Sequence, residues 1–451
     1  MAGELFRPIF VPDRVAEAVS GRAWIGAMLE AEGALALAQA RTGLIPRQAA
    51  ETIVSCCDAD RFDPEQIGRE GRAQGNPVPP LVRALTTAVA EVSEDAAGHV
   101  HKGATSQDII DTAAMLVCRR ALDLILAEIH GISAACARLA DTYRDTMMPG
   151  RTLLQQALPT TFGKKAAGWL VSVFEVRTRL LMVRESGLAV QLGGAAGTLA
   201  SLGPAGTKVL GEFARELDLA EPVVPWHTDR VRISDIGCAL SLVAGVVGKI
   251  TQDVILMAQT EIGEVAEPAG EGRGGSSTLP HKQNPILSVT AAANARRVLD
   301  LSHTLHAAMV GEHERAAGAW HSEWEALSDA LALVGGAAAA VREVTGGLEV
   351  YPEKMLENLN ATGGLLLAEN VATVAAEHLG RLEAHYLVEE ASHQALEGGK
   401  SLREELLSEP ILGEVLSEGE IDAALNPAHY LGSAGEFVDR ALKLYREGEI
   451  E

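Results

Sequence analysis

The chain has 451 residues and carries 38 basic against 61 acidic side chains, a formal net charge of −23; this excludes the basic surface that binding nucleic-acid phosphates requires. Hydrophobic residues make up 47% and aromatic residues 4%, so a large core is available but small aliphatic side chains must fill most of it, as in closely packed helices. The length suggests about three domains.

The five cysteines (Cys56, Cys57, Cys118, Cys136 and Cys238) show no Cys-x-x-Cys spacing and read as reduced thiols of a cytoplasmic protein. Charged residues come early and no apolar h-region follows, so no secretory signal is expected. The longest apolar run, Ile236 to Gly248, falls short of a bilayer, and no membrane partner is expected. No His-Glu-x-x-His pattern occurs among the thirteen histidines, so no metal is expected.

In chain order, Trp24, Met28, Ala31 and Leu35 recur at steps of four and three and predict a helix from about Ser20 to Arg41, closed by Gly43 and Pro46. Residues 1–104 read as a small helical domain. In His99-Val-His-Lys-Gly-Ala-Thr-Ser-Gln-Asp108, Thr105 or Ser106 can cap the next helix, with Asp108 in its first turn. Met115, Cys118, Leu122, Ile125, Ile129, Ile132, Cys136 and Leu139 then form a heptad seam. Leu192-Gly-Gly-Ala-Ala-Gly-Thr-Leu199 interrupts the helices and could offer backbone N–H groups to an anion.

Pro225-Trp-His-Thr-Asp-Arg230 leads into what reads as the longest helix. Its seam (Ile233, Ile236, Leu240, Val243, Val247, Ile250, Val254, Met257) and its opposite face (Leu242, Val246) are both apolar, predicting burial all round in a bundle. Gly270-Glu-Gly-Arg-Gly-Gly275 satisfies Gly-x-Gly-x-x-Gly but follows a helix rather than a strand, which excludes dinucleotide binding. Gly274-Gly-Ser-Ser-Thr-Leu-Pro-His-Lys-Gln-Asn-Pro285 is too rich in glycine and proline for a regular helix and reads as a mobile lid. It offers Ser276 and Ser277 beside the Lys282 cation and the Asn284 amide, a set suited to negative charge building on a carboxylate.

After Pro285, two helices broken near Gly318 reach about Val344, with Arg315 and a Trp320-His-x-x-Trp324 cluster between and within them. Residues 105–347 read as a central domain of long helices. Residues 348–451, more charged and richer in turns, read as a third helical domain with no assignable chemistry.

Three stretches resemble the signatures of the fumarase/aspartase superfamily. Gly274–Pro285 is similar to Gly-Ser-Ser-x-Met-Pro-x-Lys-x-Asn-Pro, with Leu279 for the methionine. Gly103–Asp108 resembles the first signature. Gly150-Arg-Thr-Leu-Leu-Gln155 resembles Gly-Arg-Thr-His-x-Gln, with Leu153 in the histidine position. The resemblance implies an all-α fold of three helical domains, whose long central helices form a twenty-helix core in a homotetramer with active sites shared between subunits.

It also implies a small polycarboxylate substrate and no cofactor, because addition across an activated double bond needs only acid, base and charge stabilisation. Ser276 would transfer the proton, while Lys282 and Asn284 stabilise an aci-carboxylate. Thr105, Ser106, Thr152, Gln155, His227, Ser277 and Arg315, helped by Arg151 and His101, would hold the substrate's carboxylates. Segments such as Pro225–Thr228 and Glu312–His321 resemble more closely one branch, the bacterial 3-carboxy-cis,cis-muconate cycloisomerases, although Leu153 and Lys102 depart from its usual tryptophans.

The missing histidine is informative. In the amine-releasing members it resembles the acid that assists the departing nitrogen; a weakly basic leaving group needs no such proton. That disfavours adenylosuccinate and argininosuccinate lyase chemistry. It favours lactone formation by carboxylate addition, or else a lyase that releases fumarate with a weak base such as nitrite. A catalytically idle homologue is disfavoured because Ser276, Lys282 and Asn284 occur together.

Overall fold

The computed structural model of the protein describes residues 2–270, 274, 275, 279 and 282–448. Helices dominate, and the long ones are α1 (Gly21–Arg41), α2 (Ser106–Thr142), α3 (Phe162–Met182), α4 (Val231–Met257), α5 (Ile286–Ala307) and α6 (Ala319–Gly347). The chain divides into two compact units: Met1–His130 with Glu175–Lys249 and Thr290–Val341, and Gly131–Phe174 with Ile250–Val289 and Arg342–Glu451.

In the first unit α1 begins where Ser20 Oγ accepts the Ala23 N–H at 3.1 Å, satisfying one of the four unpaired donors of a helix start. Its inner face buries Met28, Ala31 and Leu35 as the periodicity predicts, together with two polar residues, Glu32 and Gln39. The eight residues of the α2 seam, from Met115 to Leu139, are all buried.

The expectation that the helix after Arg230 is the longest is corrected: among the described residues α2 spans 37 residues and α4 spans 27. Apolar periodicity overlooks the start of α2 because its first turns bury polar side chains, Gln107, Asp108, Asp111 and Thr112. All-round burial of α4 is also not realised within one chain. Its seam is buried, whereas Leu242 is 51% exposed and Val231 56%, since none of the described residues covers them. By length and composition α4 and α6 could each cross a bilayer, yet 56% and 67% of their most apolar windows are buried within the fold, as in core helices of a soluble protein.

The second unit contains the main departure from helix. Strands β1 (Met147–Thr152) and β2 (Gln155–Thr161) pair antiparallel, with Thr152 opposite Gln155, so the Gly-Arg-Thr-Leu-Leu-Gln stretch is a hairpin tip. Two prolines and three threonines in these strands oppose helix and favour extended chain. A side chain at Gly150 would meet the Leu158 carbonyl at 2.9 Å. The turn is Leu153-Leu154, at φ +50° and +68°, a left-handed pair that normally selects asparagine and glycine. The C-terminal helices of this unit pack around Val371, Leu387, Leu402, Leu406, Leu412 and Ile421.

Candidate active site

The first unit assembles its part of the site around one carboxylate. Asp108, fully buried at the start of α2, accepts four hydrogen bonds. Its Oδ2 takes the Thr105 and Gly194 N–H groups, both at 2.9 Å. Its Oδ1 takes the Gly193 N–H at 2.9 Å and pairs with His227 Nε2 at 2.7 Å. Binding the amide of the residue before the helix from the third helical position is half of a capping box. Asp108 therefore does the capping, and among the described residues no group engages the Thr105 or Ser106 hydroxyl. Both hydroxyls are available to a ligand at a helix N-terminus, where the backbone favours negative charge.

The Gly193–Gly194 amides, expected to receive an outside anion, are filled by Asp108 instead. Glycine is required there: a Cβ at Gly193 would lie 2.7 Å from His227 Cε1, and Gly194 sits at φ +69°. The same loop offers the Ala195 carbonyl to Arg315 Nη2 at 3.1 Å, leaving that exposed guanidinium beside the Asp108 hub.

Because the Asp108 carboxylate can only accept, His227 must donate from Nε2, and its Nδ1 is left without a protein partner among the described residues. Asp108→Asn is expected to reverse the tautomer. The new amide NH2 clashes with two N–H donors if it faces Gly194 and Thr105, but with one if it faces Gly193 and His227, so it turns to the latter. Nitrogen-15 NMR of the His227 ring reads the change as protonation moving to Nδ1.

His101 is anchored by a second carboxylate. Its Nδ1 lies 2.6 Å from Oε1 of Glu32, which is buried on α1. Burial pulls the His101 pKa down, but the charge and hydrogen bond of Glu32 outweigh it, Asp108 adds to them, and the value is raised. The sign follows: a histidine with a raised folded pKa contributes stability in full below its unfolded value of about 6.5, lost as pH rises through the folded value.

Behind the hub lies a buried ion network. Arg230 bonds Asp111 through Nη1 at 2.8 Å and Nη2 at 3.0 Å, and bonds Glu323 through Nε at 3.0 Å and through Nη2. Trp320 Nε1 donates to Asp111 at 3.0 Å and the Trp226 ring lies 4.8 Å from the guanidinium. Trp320 is therefore a core residue. Burial opposes the Arg230 charge, but Asp111 and Glu323 prevail and raise its pKa; burial pushes Glu323 up despite Arg230.

The second unit holds the other signature residues. Arg151 forms a two-pronged pair with Glu264, Nη1 to Oε2 at 2.9 Å and Nη2 to Oε1 at 2.6 Å, and Asn358 donates to the same Oε1 at 2.9 Å. Each terminal nitrogen of Arg151 thus spends one N–H on Glu264, a pair that braces the hairpin. Thr152 and Gln155 are exposed on either side of the tip, and Leu153 is 98% exposed. In the lid, Asn284 donates from its backbone N–H at 2.9 Å and from Nδ2 at 3.0 Å to the Gly274 carbonyl, tying the loop's two ends. Lys282 is exposed. Ser276 and Ser277 lie outside the described residues.

Sequence reasoning missed Glu32, Asp111, Arg230, Glu264 and Asn358. One signal was present for Glu32: with Met28, Leu35 and Gln39 it occupies the apolar stripe of α1 at helical spacing, where an unpaired carboxylate is costly.

The sequence was compared with known proteins. A family model described as "Lyase" matches residues 12–299, and one described as "Adenylosuccinate lyase C-terminus" matches residues 364–441. A 3-carboxy-cis,cis-muconate cycloisomerase from Bradyrhizobium diazoefficiens is 44% identical, covering 97% of this chain and 97% of its own length. A nitrosuccinate lyase from Streptomyces davaonensis is 45% identical over 97% of this chain and 94% of its own. The crystal structure of the 3-carboxy-cis,cis-muconate lactonizing enzyme from Pseudomonas putida superposes with a TM-score of 0.93 at 41% identity, covering 98% of this chain and 99% of that one.

Proposed function

The chain belongs to the fumarase/aspartase lyase superfamily, and from that membership we propose that it is a 3-carboxy-cis,cis-muconate cycloisomerase, interconverting the open-chain tricarboxylate and its lactone. The observation that carries this reading is the full-length likeness to 3-carboxy-cis,cis-muconate cycloisomerases, and Leu153 agrees with it. In a chain alike over its full length to such enzymes, the position of the signature's acid is a leucine without any proton to give. A carboxylate oxygen needs none, whether it attacks the double bond or leaves the lactone.

In the forward direction the substrate carboxylate adds to one carbon of the double bond, and a proton is added at the neighbouring carbon, which bears another carboxylate. Ser276 handles that proton, and Lys282 stabilises the charge that builds on the adjoining carboxylate. The Thr105 and Ser106 hydroxyls, with His101 and Arg315, hold the remaining carboxylates. Asn284 shapes the lid. A local cluster of donors is what admits a trianion to a protein of net charge −23.

The reading includes a cytoplasmic homotetramer. The exposed apolar stripe of α4, with Val231 and Leu242, is the kind of face that a second copy covers. A second reading, release of nitrite from nitrosuccinate, is favoured by the 45% identical relative and is equally compatible with Leu153.

The test is to supply the purified protein with 3-carboxy-cis,cis-muconate and, separately, nitrosuccinate, following loss of diene absorbance in the first and appearance of fumarate in the second. Diene loss with lactone as product is expected. Fumarate formation alone would transfer the assignment to the second reading.

A further inference from the structure

The loop that opens the first signature is shaped by one face of α1. Glu32 and Gln39, two turns apart on that helix, are the polar residues on its buried face, at 2% and 1% exposure. Both reach the same two-residue stretch. Glu32 Oε1 lies 2.6 Å from His101 Nδ1, and Gln39 Nε2 donates to the Lys102 carbonyl at 2.6 Å. Lys102 Nζ, in turn, donates to the Leu44 carbonyl just past the helix at 3.1 Å.

His101 is held at φ +55°, a left-handed conformation that persists in a residue other than glycine where surrounding contacts over-determine it. Two buried polar side chains and a strained histidine are more than a loop needs for packing. The second carboxylate oxygen, Glu32 Oε2, is sealed and unpartnered, so the negative charge of Glu32 is not spent on any other group. It is balanced when His101 is a cation.

We infer that Glu32 is a positioning residue for the proposed reaction: it holds His101 as an imidazolium, Nδ1–H on Glu32, so that the Nε2–H is presented to a carboxylate of the substrate. The inference rests on the functional reading above for the kind of ligand, a polycarboxylate, but not for the bond that reacts. The groups whose charge bears on His101 are Glu32 and Asp108. Cys57, beside Glu32, is neutral, its thiol pushed up to about 12 by burial and by the Glu32 and Cys56 charges. The Lys102 ammonium is turned to Leu44. Glu32 bonds the imidazole directly and the Asp108 charge adds to its effect, so the cation is the form they stabilise.

The test uses the full-length protein. The titration of His101 is followed by NMR in the wild type and in Glu32→Gln, binding of tricarballylate by calorimetry, and steady-state kinetics on 3-carboxy-cis,cis-muconate. In the wild type His101 titrates above 6.5, and in Glu32→Gln the midpoint falls. Loss of one charge-assisted hydrogen bond raises both the tricarballylate dissociation constant and KM roughly tenfold or more, with kcat within about threefold. Gln39→Leu, which frees the loop without removing charge, leaves the His101 midpoint in place.

A merely structural role for Glu32 would move kcat and KM together and shift His101 equally in Gln39→Leu; that pattern overturns the inference. So does a wild-type His101 midpoint at or below 6.5, a measurement that needs no variant to fold. Should the wild type leave carboxymuconate unchanged, the functional reading fails, while the titration and tricarballylate arms still decide the role of Glu32.

Discussion

Ser276→Ala is expected to lower kcat on 3-carboxy-cis,cis-muconate by about 10²–10⁴-fold, the usual contribution of a positioned proton-transfer group, with circular dichroism and assembly unchanged. The expectation comes from the motif and from the way its described parts behave. Asn284 donates its backbone N–H and one Nδ2 N–H to the Gly274 carbonyl, and Gly274 sits at φ +64° with no room for a Cβ against the Asn284 carbonyl. The ends of the loop are thereby cinched together, and Lys282 is left exposed within it. Lys282→Met should give a comparable loss, because the developing carboxylate charge then faces no cation. Wild-type turnover in Ser276→Ala would end the proton-transfer assignment, whatever the substrate proves to be.

The parts of the site that were legible in the sequence are those where a side chain is tied to its neighbours along the chain. The Thr105-Ser106 helix start, the glycines at 193 and 194 and the lid could be placed from local rules of capping and backbone freedom. What escaped notice was which partner each group would choose. The Gly193 and Gly194 amides were legible as anion donors; that their anion is Asp108, 85 residues earlier, depends on tertiary packing. Arg151 was legible as a carboxylate ligand; that one carboxylate it holds is Glu264 was not.

The hairpin was hidden for a different reason. Leu153 and Leu154 occupy a turn that local rules assign to asparagine and glycine, so propensity pointed away from it. The uncovered face of α4 marks the limit of a single chain. The helix is apolar on both sides because of the sequence, yet Leu242 is exposed in the single chain.

Arg230→Met is expected to destabilise the fold by about 3–5 kcal/mol, the range for removing one partner of a buried ion network. Arg230 sits immediately before α4 and binds Asp111 of α2 and Glu323 of α6, so it joins three helices through groups that are all nearly or fully buried. Methionine fills the stem of the lost side chain but leaves two carboxylates without a counter-charge. They are not equally exposed to the loss. Asp111 keeps the Trp320 indole and the Gln107 and Gln191 amides as donors. Glu323 has Arg230 as its hydrogen-bonding partner among the described residues, and its carboxyl is already pushed up by burial with the arginine present. Without Arg230 it is driven further toward the protonated form. A carboxyl with a folded pKa above its unfolded value favours the folded state most when protonated. The deficit of Arg230→Met relative to wild type should therefore grow as pH rises from the unfolded carboxylate value of about 4.3 through the folded one, and be larger at pH 7 than at pH 5. Urea unfolding followed by circular dichroism at the two pH values checks both the size and the direction. Adding Glu323→Gln to Arg230→Met should recover part of the loss at pH 7, because it removes the charge that has no partner; a double variant no more stable than Arg230→Met would show that the cost lies in lost packing around Trp226 rather than in an unpaired carboxylate.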